Sequence, residues 1–246
     1  MTHLTLPLLV SLLSLSVLIF LLFLLPPPPP PTTTLTLHRH FPSNPLPPPP
    51  KLAYFISGTH GDSPRLLRLL RALYHPNNQY LLHLDRRATP QERVELSASV
   101  GSVAVFAAAE NVNVVGSADA VNLDGSTPIA SLLRGAAILL RYCSDWDWFV
   151  NLEASDYPLI SQDDLLHILS FVPRDFNFIE HTSNIGWNEY QRIIQIVVDP
   201  GLYLASKRGI FLGSPQVILS RKLVEFSILG WDNFPRTLLL FFANIK

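Results

Sequence analysis

The chain has 246 residues, of which 48% are hydrophobic and 15% charged, so it is long enough to bury one substantial core. Its formal net charge of -1 and its scattered lysines and arginines disfavour nucleic acid as a partner, because nucleic-acid binding needs a concentrated basic surface. The single cysteine, Cys143, excludes an intrachain disulfide, and no cluster of cysteine and histidine offers a zinc site. We interpret Cys143 as a small buried side chain on a helix.

The N-terminal segment is predicted to anchor the chain in a membrane. Residues 8–25 carry no charge and, with their flanks, are long enough to span a bilayer as a helix. Six prolines follow directly, where a cleaved signal peptide would have small residues, so an uncleaved anchor is favoured over a secreted form. The proline-rich residues 26–50 predict a semi-rigid stalk. The chain therefore has the plan of a type II membrane protein: a short tail over 1–7, the anchor, the stalk and a domain over 51–246.

From residue 51 onward, short apolar runs alternate with stretches of helical periodicity. Strands are predicted over 51–58, 79–85, 103–109, 148–155 and 176–181, and helices over 63–75, 89–99, 127–142 and 161–172. Thr89 and Ser161 are expected to be the N-caps of their helices. This alternation predicts an α/β fold with a mainly parallel sheet that is covered by helices on both faces.

Polar residues follow three of the predicted strands at the point where each strand ends. The first strand runs into the small-residue turn 57–62, the second into Asp85 and two arginines, and the fourth into the polar segment 153–158. Ligands of such sheets bind outside the carboxyl ends of the strands, so these segments together outline a nucleotide pocket. Each segment taken singly also fits an ordinary turn or cap. The sequence contains neither GxGxxG nor a P-loop motif.

The segment DWDWFVNLEASDYP contains an apparent Asp-x-Asp metal motif, Asp145 and Asp147. Both residues precede the apolar run of the fourth strand, so they are expected at its amino end, away from the nucleotide. We interpret them as turn residues that lead the chain into the sheet. Asp156, which follows the same strand, is the acid expected at the carboxyl edge.

Several segments carry a resemblance to a known family: AYFISGTHGD, RLLRLLRALYHPNNQYLLHLDRRA, DWDWFVNLEASDYPLISQDDLLHIL, NFIEHTSNIGW, VVDPGLY and GSPQVILSRKLVEFSILGWDNFPRTLLLFFAN. Together they resemble the core-2/I-branching enzyme family of glycosyltransferases, family 14, and within it the plant beta-glucuronosyltransferases that act on arabinogalactan proteins. The resemblance implies a type II Golgi membrane enzyme with its domain in the lumen and a GT-A-like nucleotide-sugar fold. Such an enzyme inverts the anomeric centre, uses a UDP-sugar and needs no metal or other cofactor. It implies transfer of glucuronate from UDP-glucuronate to galactan chains, although other members transfer N-acetylglucosamine or xylose, and these residues do not separate the donors.

The same resemblance implies roles for individual residues. The donor-binding residues would be Ile56, Ser57, Gly58 and Thr59 beside the uracil, Asp85 at the nucleoside, and Asp156 and Tyr157 at the donor sugar. The acceptor-binding residues would be Trp187, Glu189, Trp231, Asp232 and Asn233. This second group can equally be interpreted as structural residues: the tryptophans as buried core residues, the glutamate as a solvated side chain, and the segment 231–233 as a turn.

The family's general base is a glutamate that is expected beyond Lys246, followed by basic residues that neutralise the diphosphate. About a dozen family residues also have no counterpart between Phe211 and Gly213. The chain therefore resembles a shortened member, and we expect it to have little or no transferase activity by itself. Loss of the base alone would slow transfer about 10²- to 10⁴-fold, and loss of the basic residues would slow it further. The alternative function is a non-catalytic, membrane-anchored partner that binds a nucleotide sugar or glycan, or that pairs with an intact relative in a complex of Golgi transferases.

Overall fold

The computed structural model describes residues 47–122, 127–143, 145–182 and 212–230. Along the chain these residues form β1 (Leu52–Gly58), α1 (Ser63–Leu73), β2 (Gln79–Leu84), α2 (Pro90–Gly101), α3 (Ala104–Ala109), β3 (Val112–Val114), α4 (Thr127–Tyr142), β4 (Trp148–Glu153), α5 (Gln162–Ser170), β5 (Phe178–Thr182), β6 (Leu212–Ser220) and α6 (Arg221–Leu229). Within these ranges no helix is both long and apolar enough to cross a bilayer. The predicted anchor and most of the predicted stalk lie outside the described residues.

The described strands form one sheet in the order β3-β2-β1-β4-β6-β5. Strand β1 pairs in parallel with β2 and β4, and β2 pairs in parallel with β3. Strand β6 runs antiparallel to both of its neighbours, β4 and β5. The mainly parallel α/β arrangement predicted from the sequence is therefore confirmed.

Strand β1 is buried on both faces, which explains its continuous apolar run. Leu52, Tyr54 and Ile56 pack into the cluster beneath α1, α2, α3 and α5, whereas Ala53 and Phe55 pack into the cluster beneath α4 and α6. Side chains on successive residues of a strand point to opposite faces, so a strand between two helical layers needs apolar residues at every position. Helices thus cover both faces of the sheet, as predicted.

Two helix starts follow the predicted capping pattern. The Thr89 hydroxyl accepts a hydrogen bond from the Glu92 amide at 3.1 Å, and the Ser161 hydroxyl accepts one from the Asp164 amide at 3.1 Å. Each cap satisfies an amide that has no partner within its own helix. Both predicted N-caps are confirmed.

The prediction of a third strand over 103–109 was wrong. Residues Ala104–Ala109 form helix α3, and the third strand is the three-residue segment Val112–Val114. The segment contains four alanines, and alanine has the highest helix propensity of any residue, which outweighs the two β-branched valines. Cys143 also differs from its interpretation, because it follows α4 and is only partly buried.

Candidate functional site

The order of the strands places a topological switch point at the carboxyl edge of the sheet. The chain proceeds from β1 to β2 on one side and later returns on the other side of β1 as β4. In the register of the sheet, Ser57 lies between His83 of β2 and Glu153 of β4, so the ends of these three strands meet at one level. This topological switch point is the position at which open α/β sheets bind ligands.

Asp85 joins the tips of β1 and β2. One carboxylate oxygen, Oδ1, accepts hydrogen bonds from the Thr59 hydroxyl at 3.0 Å and the Arg87 amide at 2.9 Å. The Asp85 amide donates to the Gly58 carbonyl at 3.0 Å, and Arg87 Nε lies 3.8 Å from Oδ2. The side chain is held in one orientation and keeps lone pairs on Oδ2 that can accept a hydroxyl or N–H donor from a nucleoside.

Gly58 permits close approach of three segments at the end of β1. A Cβ atom at this position would lie 3.0 Å from the Asp62 Cβ and 3.2 Å from the Ala154 Cβ. The neighbouring Ser57 hydroxyl donates to the Leu152 carbonyl at 3.4 Å. Glycine therefore allows the backbone after β1 to pass between the β4 tip and α1.

Ile56 differs from the other predicted donor-binding residues in its burial. Its side chain is fully buried in the core cluster below the edge, where it packs with residues of the surrounding helices. Thr59 and Ser57, by contrast, are partly exposed at the edge. The Ile56 side chain thus supports the end of β1 from beneath.

The tip of β4 carries Asp156 and Tyr157. Asp156 Oδ2 accepts a hydrogen bond from the Glu153 amide at 2.8 Å, and the Asp156 amide donates to the Glu153 carbonyl at 3.0 Å. Tyr157 is exposed, and the Arg68 guanidinium lies 5.7 Å from the centre of its ring. Asp156 therefore closes a turn, and its donor-sugar role stays a prediction, as does that of Tyr157.

A polar network beside this edge was not identified from the sequence. Asp119, in the loop after β3, pairs with Arg134 of α4 and accepts a hydrogen bond from the Ser131 hydroxyl at 3.2 Å. Its amide donates to His83 Nε2 at 3.3 Å, and its carbonyl accepts from the Arg86 amide at 2.8 Å. Asp119 thus ties the tip of β2 to helix α4.

His83 is the buried member of this network, with only 1% of its surface exposed. Its ring stacks on Phe55 with the ring centres 5.8 Å apart, and Nδ1 has no hydrogen-bond partner within the described residues. Burial lowers the pKa of His83, because it disfavours the charged ring more than Asp119 and Asp85 favour it. The neutral ring is therefore the form that accepts the Asp119 amide.

Asp145 and Asp147 lie at the opposite end of β4, as predicted. Asp147 Oδ2 accepts a hydrogen bond from the Lys51 amide at 2.9 Å, and Arg174 Nε lies 3.7 Å from Oδ1. The Asp145 carboxylate pairs with the Lys51 ammonium group. Both aspartates therefore fasten the start of β4 to the start of β1, which confirms their position at the amino end of the strand; these contacts are with distant residues and not within the predicted turn. Across the described ranges, no group of three or more His, Cys, Asp or Glu side chains is placed to hold a metal ion.

The predicted acceptor-binding residues lie outside the described residues: Trp187, Glu189, Trp231, Asp232 and Asn233. Their roles stay predictions.

Comparison with known proteins identifies relatives of the whole described domain. The family model "Core-2/I-Branching enzyme" matches residues 52–245. The chain is 51% identical over 209 residues to beta-glucuronosyltransferase GlcAT14B of Arabidopsis thaliana, a match that covers 79% of this chain and 48% of the relative. It is 50% identical over 210 residues to GlcAT14C of the same plant, covering 79% of this chain and 54% of the relative. Xylosyltransferase 1 of Rattus norvegicus is 28% identical over 210 residues, covering 80% of this chain and 25% of the relative. The chain thus spans about half the length of the two plant relatives.

Proposed function

The chain belongs to the core-2/I-branching enzyme family, and from this membership we propose that its α/β domain is a glycosyltransferase that acts on a UDP-sugar. The observation that carries the proposal is the Thr59–Asp85 pair at the switch point of the sheet, where two strand tips are joined by a buried carboxylate. A carboxylate at the tip of a strand can accept hydrogen bonds from ribose hydroxyls or from a base. The turn after β1 and Asp85 would bind the nucleoside, and the β4 tip would face the donor sugar.

The proposed donor is UDP-glucuronate. The supporting observation is that identity to the plant beta-glucuronosyltransferases is well above identity to the xylosyltransferases. The proposed acceptor is a galactan chain of an arabinogalactan protein, which rests on the resemblance of the sequence blocks to that branch of the family.

The proposed reaction is a single inverting displacement. An acceptor hydroxyl oxygen forms a bond to the anomeric carbon while the bond from that carbon to the diphosphate oxygen breaks. The electron pair leaves with UDP, and the hydroxyl proton passes to a carboxylate base. We assign the base to no residue of this chain, and the glutamate expected beyond Lys246 stays a prediction. We propose no resident metal or other cofactor, so cationic side chains would stabilise the departing diphosphate.

The proposed location is the Golgi membrane, with residues 8–25 as a type II anchor and the domain in the lumen. In that setting the donor would be a luminal UDP-sugar and the acceptor a glycan on a glycoprotein. Assembly with other Golgi transferases is part of the same proposal.

The proposal is tested by titrating the purified full chain with UDP and by measuring transfer of radiolabelled glucuronate from UDP-glucuronate to a galactan oligosaccharide. UDP-xylose and UDP-N-acetylglucosamine serve as competing donors. Transfer of glucuronate in preference to the other sugars would support the proposal in full. UDP binding without turnover would favour the non-catalytic partner only if the chain also co-purifies with an intact transferase, because an impaired transferase would bind UDP in the same way. The absence of UDP binding would refute a nucleotide-sugar site at this edge.

A further inference from the structure

The turn between β1 and α1 is held by hydrogen bonds more than by packing. Gly61 in this turn has a φ of +83°, and a Cβ atom placed on it would meet no other atom within 4 Å. Within the turn, the Thr59 amide donates to Asp62 Oδ2 at 3.0 Å, and the Asp62 amide donates to the Thr59 carbonyl at 3.1 Å. Because one side of the turn is open to solvent, its shape depends on the polar groups that contact it.

Glu92 of α2 reaches this turn from a distant part of the chain. Its Oε1 atom accepts hydrogen bonds from the Gly61 amide at 2.7 Å and the Ser63 hydroxyl at 3.3 Å. Its Oε2 atom lies 3.0 Å from His60 Nδ1. One carboxylate thus contacts three residues between the end of β1 and the start of α1.

Glu92 is itself firmly placed. Its amide donates to the Thr89 cap in the first turn of α2, and its side chain is only 14% exposed, although it lies at the surface of the domain. Burial alone would raise the pKa of Glu92, but the hydrogen bonds from the Gly61 amide and the His60 ring outweigh burial and lower it. The carboxylate is therefore ionised at neutral pH, which strengthens the hydrogen bonds that it accepts.

We propose that Glu92 is a positioning residue for nucleotide binding, because it holds the turn after β1 in the shape that receives the nucleoside. The inference rests on the proposed function. It adds a second attachment to the turn: Asp85 holds the Thr59 side chain at one end, and Glu92 holds Gly61 and its neighbours at the other. A ligand that meets a preformed turn does not have to order it, so its affinity is higher than for a turn with more freedom.

The test compares UDP binding to the full chain and to Glu92→Ala, with Glu95→Ala as the matched control. Glu95 lies one turn farther along α2, and its carboxylate accepts a hydrogen bond from Gln91 alone among the contacts found in the described part of the chain. Glu92→Ala should free about one residue of the turn, which UDP must then order when it binds. The cost of ordering one residue corresponds to a factor of about 5 to 30 in the dissociation constant, so UDP binding should weaken by that factor. Glu95→Ala should leave it unchanged.

A second variant, Glu92→Gln, keeps an oxygen that can accept the Gly61 amide but removes the charge, and it should lose less affinity than Glu92→Ala. UDP affinity should therefore decrease from the parent to Glu92→Gln to Glu92→Ala. Thermal unfolding without ligand measures the stability of each variant independently, so a loss of affinity can be separated from a general loss of stability. Where turnover is measurable, the KM for the UDP-sugar should rise while kcat stays constant. Unchanged UDP affinity in both variants, with binding by the parent chain intact, would overturn this inference alone. A parent chain that does not bind UDP would overturn the proposed function and this inference together.

Discussion

Replacing Gly135 by alanine would test how closely helix α4 packs against the central strand. Gly135 lies in the middle of α4, and a Cβ atom placed there would lie 2.5 to 2.8 Å from three ring atoms of Phe55 in β1. The Phe55 ring is buried and stacks on His83, so it has little room to withdraw. Glycine is therefore needed at this contact for reasons of space.

The expected magnitude is the difference between two opposing effects. Alanine in place of glycine within a helix stabilises by about 1 kcal/mol, whereas overpacking a buried site costs about 1 to 3 kcal/mol. Contacts well below 3.0 Å to an enclosed ring place this site at the upper end of that range. We therefore expect Gly135→Ala to lower the free energy of unfolding by about 2 kcal/mol, which corresponds to a fall of about 4 to 8 °C in Tm for a domain of this size.

The assay is thermal unfolding, with Gly101→Ala as the control. Gly101 is the last residue of α2, and a Cβ atom added to it would have no other atom within 4 Å, so alanine there should be neutral or stabilise by up to about 1 kcal/mol. In a Phe55→Ala background, Gly135→Ala should cost less than about 1 kcal/mol, because all three ring atoms that cause the clash are absent. A Gly135→Ala protein that is as stable as its parent would refute the reasoning, since it would mean that the ring moves freely.

Three further predictions concern the carboxyl edge and the amino end of the sheet. Asp85→Asn should weaken UDP binding about 10- to 100-fold, because hydrogen bonds to a charged partner contribute about 1.5 to 3 kcal/mol; unchanged affinity in a titration would contradict the assignment. Since the pKa of His83 is lowered in the folded state, the unfolded chain takes up a proton first, and stability should fall as the pH drops below about 6.5. Urea unfolding at several pH values should show this fall in the parent and a smaller one in His83→Gln. The double variant Asp145→Asn, Asp147→Asn should unfold at a lower temperature but bind UDP normally with or without Mn²⁺; a metal-dependent loss of binding would show that these aspartates hold a metal.

The elements that could be predicted from the sequence are those whose signal is local and strong. Strands β1, β2 and β4 are apolar runs ended by polar residues, and the caps Thr89 and Ser161 act within one helical turn. The segment 103–109 was mistaken because its apolar residues fit either structure, and a short apolar run cannot be assigned by periodicity alone. Alanine content would have been the better guide there.

The position of the candidate site was predicted because parallel strands present their carboxyl ends at one edge, so the residues after each apolar run could be found along the chain. Thr59 and Asp85 do meet at that edge, and Asp145 and Asp147 lie away from it. The position of these residues in the sequence was sufficient to assign each of them to one end of the sheet, because each directly follows or precedes a recognisable strand.

The contacts that hold the site together depend on tertiary structure. Asp119 reaches His83 only because the short β3 pairs beside β2, and Glu92 reaches Gly61 only because α2 packs beside the start of α1, 31 residues away in sequence. Propensity and capping act over a few residues, whereas these contacts depend on which elements become neighbours when the core is packed. The sequence by itself therefore determined the family, the strands and the edge at which they end, and the tertiary structure decided which side chains hold that edge in place.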